Sequence, residues 1–112
     1  MKKIAMFTCL KSNRVCTGAA CMKAYLERTK AFAAYEGEET QLVAFSKCNG
    51  CGKSLAEEEG LREKLDRLVS IGTDVVHLGL CTADREGKEC PVITEVADEL
   101  TRRGIRVVRG TH

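Results

Sequence analysis

Seven cysteines, and a histidine at position 112, are the residues of this chain whose types and spacing could do chemistry. Two of the cysteines stand in Lys47-Cys48-Asn49-Gly50-Cys51-Gly52, with glycine between them and after them. A turn that tight lets two sulfurs face one point. That suits either chelation of a soft metal ion or cycling between dithiol and disulfide. The apolar run before the pair, Leu42 to Phe45, reads as a short buried strand, and the stretch from Ser54 reads as a helix. The pair is therefore expected on a strand-to-helix turn, near backbone N–H groups that stabilise thiolate. Cys9, Cys16, Cys21, Cys81, Cys90 and His112 add to this chemistry only if the fold brings them to the same place.

The elements that must position them follow from periodicity. Lys3 to Thr8 reads as a first strand ending at Cys9. Thr17 is placed to cap a helix whose inward face carries Met22, Tyr25, Leu26, Thr29, Phe32 and Ala33. After the second strand, Ser54 and Glu57 have the spacing of a capping box, and Leu61, Leu65, Leu68 and Val69 form an apolar stripe stopped by Gly72. Gly60 interrupts that pattern, so the helix start lies between Ser54 and Gly60. Asp74 to Leu80 is nearly all apolar, as a strand covered on both faces should be, and it runs to Cys81. Cys90-Pro91 opens a third helix with proline in its first turn, Gly104 closes it, and Ile105 to Arg109 is the last strand.

A β-α-β-α-β-α-β order predicts a flavodoxin-like α/β domain, with four parallel strands in the order 2-1-3-4 and helices on both faces. In a parallel sheet every residue just after a strand lies along one edge, where open α/β sheets place their ligands. Cys9, Cys48, Cys51, Cys81 and His112 follow the four strands. Cys16, Cys21 and Cys90 fall in loops or first helical turns on the same edge. Seven cysteines on one rim are poorly explained as small buried hydrophobes, although Cys21, on the inward side of the first helix, fits that description too. Connections leave strand one toward strand two and then cross back to strand three, and this reversal opens a crevice between strands one and three. Cys9, Cys48, Cys51 and Cys81 are thus the expected inner group, with Cys90 and His112 next and Cys16 and Cys21 outermost.

Taken together these residues resemble the CGGC-domain family. The resemblance runs nearly end to end, through Cys9, Arg14-Val-Cys16, Cys21, Ala31-Phe32, Cys48-Asn-Gly-Cys51, Val76-His77-Leu78, Cys81, Cys90-Pro91 and Gly110-Thr-His112. It implies a single domain over 1–112 and a metal site built from the cysteines and histidine, with no known reaction. Asn49 stands where the family name has glycine, and Gly52-Lys53 where proline and glycine are expected. Asparagine tolerates a left-handed backbone better than most residues, which would preserve the turn.

Composition narrows the setting. The chain has 112 residues, 44% of them hydrophobic, which is enough for one real core. A net charge of +2 is too small to point to nucleic acid or an anionic membrane surface. The opening ten residues lack the long apolar run and cleavage pattern of a signal peptide, and nothing approaches a membrane span. A cytoplasmic protein is expected, in which cysteines serve metal binding or redox chemistry rather than a disulfide framework.

Zinc accepts mixed cysteine and histidine tetrahedra, and an iron–sulfur cluster accepts the thiolates. The alternative is a thiol–disulfide redox protein using Cys48 and Cys51. Metal binding explains more, because a redox pair has no need of five further cysteines. The other motifs are weak. Gly50-Cys51-Gly52-Lys53-Ser54 imitates the end of a phosphate-binding loop, but lysine at 47 occupies the place of its first glycine. His77, mid-strand, is expected to be a hydrogen-bonded core residue. The Arg102, Arg103, Arg106 and Arg109 cluster is expected to be a solvated face, and Asp84, Glu86 and Glu89 a charged loop.

Overall fold

A computed structural model describes residues 1–112 and carries the expected alternation of strand and helix. Strands β1 (Lys2–Thr8), β2 (Thr40–Lys47), β3 (Val75–Leu78) and β4 (Arg106–Arg109) alternate with helices α1 (Ala19–Glu27), α2 (Glu59–Ser70) and α3 (Pro91–Arg102). All pairings are parallel, and the strand order is β2-β1-β3-β4, as expected. No helix is long and apolar enough to cross a membrane.

The period of two along β1 divides the core. Ala5 and Phe7 pack with Val76 and Leu78 of β3 against Leu61, Leu65 and Leu68 of α2 and Ile93, Val96 and Leu100 of α3. Ile4 and Met6 face the other way, onto Cys21, Ala24 and Tyr25 of α1 and onto Phe32 and Tyr35 beyond it. Each fully buried side chain of this size contributes roughly 1.5–3 kcal/mol. The α1 layer on one face and the α2/α3 layer on the other leave the C-terminal ends of β1 and β3 open between them.

One irregularity matters for the site. The register between β1 and β2 slips between Ile4 and Ala5, so that Ile4 pairs with Leu42 but Ala5 with Ala44. The extra residue, Val43, changes the parity of β2. Leu42 and Phe45 consequently both join the α1-side core, whereas Val43 and Ala44 pack on the other side. Phe45 then reaches over to Gly18, where a Cβ would come within 3.2 Å of its ring. Gly18 has φ +79° and precedes the first residue of α1, so both conformation and space require glycine.

Three expectations about local structure are corrected. The first helix does not run on to Ala33. It stops at Glu27, Arg28 turns left-handed with φ 55°, and a 3-10 segment follows over Lys30–Tyr35. Thr29 N–H bonds to the Ala24 carbonyl and Arg28 N–H to that of Tyr25, the paired bonds of a Schellman closure. The Arg28 guanidinium holds this conformation by donating to the Tyr25 carbonyl at 2.7 Å and lying over the Tyr25 ring at 4.9 Å. Leu26, expected inside, is 69% exposed as a result.

Secondly, Ser54 and Glu57 do not form a capping box. The Ser54 carbonyl accepts the Glu57 and Glu58 N–H groups in a separate turn, and α2 begins at Glu59. Asn49 fixes that start. Its amide donates to Glu58 Oε1 at 3.1 Å and its carbonyl accepts from Lys64 Nζ at 2.6 Å. It also stands 3.1 Å from where a Cβ on Gly60 would be. The left-handed positions of the loop are Gly50 and Gly52 rather than Asn49, which instead tethers the loop to α2. Thirdly, β3 ends at Leu78, and Leu80 is exposed in a short 3-10 turn, Leu80–Thr82, that carries Cys81.

Candidate functional site

The C-terminal edge of the sheet holds two adjoining cavities, one on each side of the β1–β3 junction. The α1-side cavity has a volume of about 550 Å³, and its lining includes Cys9, Cys16, Cys21, Cys81 and His112. Its only permanently charged lining residue is Lys47, and Thr8, Ser12, Phe45 and Leu80 complete much of the wall. The α3-side groove, about 720 Å³, is lined by Cys9, Cys51, Cys81 and Cys90. Cys9 and Cys81 are common to both. They sit at the ends of the two parallel strands between which the strand order reverses, where ligands collect in open α/β sheets.

Each cysteine reaches the edge by a different device. Cys9 follows β1, and its N–H donates to Cys81 Sγ at 3.3 Å. Cys81 is drawn towards β1 by the Leu80–Thr82 turn. Burial pushes its thiol above the ordinary range, while the Cys9 N–H bond acts in the opposite direction. Cys21 lies in the first turn of α1, buried, with Sγ 3.0 Å from the Thr111 hydroxyl and 3.8 Å from His112 Nδ1. Cys16 is exposed in the loop before α1, where its sulfur accepts the Gly18 N–H at 3.4 Å. Cys90 immediately precedes α3, with Pro91 in the first turn as expected.

The two members of the Cys48–Cys51 turn have different surroundings. Cys48 is buried, and its sulfur accepts the Leu10 N–H at 3.4 Å; it lines neither cavity. Cys51 is exposed and faces the α3-side groove.

The tail after β4 is turned inward by Gly110, whose φ is +98°. Thr111 is fully buried beside Cys21, and its hydroxyl lies 3.0 Å from His112 Nδ1. The support for this tail was not visible in the sequence. His77, fully buried, stacks on Phe32 at 4.3 Å and has Nδ1 3.4 Å from the Gly110 carbonyl. Since a carbonyl only accepts, Nδ1 carries the proton and Nε2 accepts from the Tyr35 hydroxyl at 2.7 Å. Burial holds the His77 pKa below the usual imidazole range. The expectation of a hydrogen-bonded core histidine is met.

The charged residues nearby are mostly accounted for. Glu89 accepts from Arg109 at 2.6 Å, and Asp84 accepts the Glu86 and Lys88 N–H groups at 2.9 Å to form its own turn. Arg103 pairs with Asp66 and Arg102 with Glu99.

The CGGC domain matches residues 3–112. The chain belongs to the CGGC-domain family. No curated protein and no solved structure matches it. This CGGC domain is cysteine-rich, and the donor chemistry of its edge, thiols with one imidazole, fits a thiophilic metal ion. The donors are not drawn into a finished ligand set: no three His, Cys, Asp or Glu side chains stand close enough to hold an ion as they are.

Proposed function

We propose that this CGGC domain binds a thiophilic metal ion at the switch between β1 and β3, with zinc as the favoured ion and an iron–sulfur cluster as the variant. The observation that carries this reading is that Cys9 and Cys81 form a wall common to both cysteine-lined cavities. A group held by these two thiols can take further ligands from Cys16, Cys21 and His112 on one side, or from Cys51 and Cys90 on the other. Cys48, bonded to the Leu10 amide, would support the Cys9 loop or rotate in to join them. Bound there, the ion would supply Lewis acidity or cross-link the loops that carry its ligands.

Since the donors stand apart, binding includes a local closure, most readily of the exposed Cys16 loop. Closure of a loop on an ion couples affinity to ordering, so binding should also raise stability. The redox alternative at Cys48 and Cys51 has less support, because one sulfur is buried beneath a backbone amide and the other faces the groove.

Metal analysis of protein purified without oxygen tests the reading, with an absorption spectrum to separate colourless zinc from a brown cluster. Protein that stays metal-free and takes up neither zinc nor iron under reducing conditions would refute it.

A further inference from the structure

Three observations make Cys9 and Cys81 a pair rather than two thiols on one rim. The first is the 3.3 Å contact of the Cys9 N–H with Cys81 Sγ. The second is Gly79. A Cβ there would stand 2.8 Å from Thr8 Cγ2 and 3.3 Å from Cys81 Sγ, so glycine is what allows the two strand ends and the Cys81 sulfur to close up. The third is access: both thiols are half-buried yet open onto the two cavities, whereas Cys48 opens onto neither. Cys81 lies beyond the end of β3, and the Leu80–Thr82 turn carries its sulfur back to the Cys9 backbone, within reach of the Cys9 side chain by rotation.

We propose that Cys9 and Cys81 are a redox-active dithiol that reduces small disulfides entering the α1-side cavity and closes to an intramolecular disulfide between the ends of β1 and β3. One thiol of the pair, as thiolate, attacks a sulfur of the small disulfide R–S–S–R. That S–S bond breaks, and the first RS⁻ leaves and takes a proton from solvent. A mixed disulfide to the protein remains. The second protein thiol gives up its proton to solvent and attacks the protein-side sulfur, releasing the second RS⁻, which is protonated in turn. Two protein thiols are oxidised to one disulfide, and one small disulfide is reduced to two thiols. Excess small thiol reverses both steps.

This activity needs no metal ion, and it differs from a thioredoxin-like use of Cys48 and Cys51. It also bears on the metal reading, because the same disulfide would withdraw two ligands from a bound ion.

The test uses the full chain, stripped with a chelator and a reductant and desalted without oxygen. It is then exposed to oxidised glutathione, quenched with an alkylating reagent and mapped by peptide mass spectrometry. Two of the seven thiols should be lost, with Cys9 and Cys81 found in one linked peptide pair. Cys9→Ser and Cys81→Ser should each leave the partner as a glutathione adduct that does not resolve. A dominant Cys48–Cys51 or Cys21–Cys81 link, a scrambled mixture, or seven thiols still free would overturn the proposal. Metal content is read on separate, reduced protein, so each reading stands or fails by itself.

Discussion

The side chains of His77 and Tyr35 meet at 2.7 Å inside the α1-side core, and neither is more than 3% exposed. This one contact joins the 3-10 segment after α1 to the middle of β3. Through His77 Nδ1 it reaches the Gly110 carbonyl, and hence the tail that brings His112 to the cysteines. Tyr35→Phe removes the hydroxyl and leaves Nε2 a buried acceptor without a donor. A loss of about 1–3 kcal/mol in unfolding free energy is expected, checked by urea denaturation of both proteins. A change near zero would mean that the imidazole is satisfied in some other way.

The same imidazole predicts a pH dependence. Burial lowers its folded-state pKa, with Arg106 acting in the same direction and the Gly110 carbonyl opposing. The unfolded chain therefore binds the proton more readily than the folded one. The contribution of His77 is fully present above the unfolded pKa of ~6.5 and is lost as pH falls through the folded value, with a slope of at most about 1.4 kcal/mol per pH unit. His77→Gln, measured by denaturation at several pH values, should flatten the profile below ~6.5. A profile as steep as that of the unaltered chain would assign the pH dependence to other groups.

Arg28 carries a left-handed backbone, for which glycine is the natural residue and alanine a poor one. Arg28→Ala loses the guanidinium contacts and retains the strain, whereas Arg28→Gly loses only the contacts. The alanine variant should be less stable than the glycine variant by about 1 kcal/mol, read as the difference between their denaturation midpoints. Equal stabilities would mean that the turn relaxes once the arginine is gone.

The limits of what could be read from the sequence follow the same division between local and tertiary causes. Strand order was legible because four apolar runs alternate with helical patterns, and right-handed crossovers leave few ways to connect them. Cysteines at strand ends then had to share an edge. The stop at Arg28 was illegible, because it depends on contacts with Tyr25 and Thr40 rather than on a glycine or proline. So was the extra residue at Val43, which alters which side of β2 faces α1 without any local signal in an unbroken apolar run. The unlike surroundings of Cys48 and Cys51 depend on where the Leu10 amide falls, a long-range fact. Tyr35 could have been suspected only as an aromatic with a polar end on an otherwise apolar face.

Gly79 provides a test of the junction itself. Alanine there would put its methyl 2.8 Å from Thr8 Cγ2, between two strands that have little room to part. Overpacking of this kind costs about 1–3 kcal/mol. Gly79→Ala should lower the unfolding free energy by that amount, whereas Gly87→Ala, in the open loop, meets no neighbour and should lose only what its positive φ costs. Because Gly79 has φ −62° and no left-handed penalty, a change near zero there would show that the strand ends yield, and that the closeness of Cys9 and Cys81 is not enforced by packing.

Thr111 separates the fold from the ligand role of the tail. Its side chain is fully buried, and its hydroxyl is 3.0 Å from both Cys21 Sγ and His112 Nδ1. Valine fills nearly the same volume but has no hydroxyl, so Thr111→Val should keep the packing while freeing both the sulfur and the ring. Hydrogen-bond partners of metal ligands typically affect affinity by ~10–100-fold when removed. If Cys21 and His112 both hold the ion, zinc affinity measured by competition with a chromophoric chelator should fall within that range for Thr111→Val, and further for His112→Ala. Should His112→Ala bind as tightly as the unaltered chain while Cys9→Ser does not, the ion lies on the α3 side, with Cys51 and Cys90. Thr111 would then serve only to bury the tail.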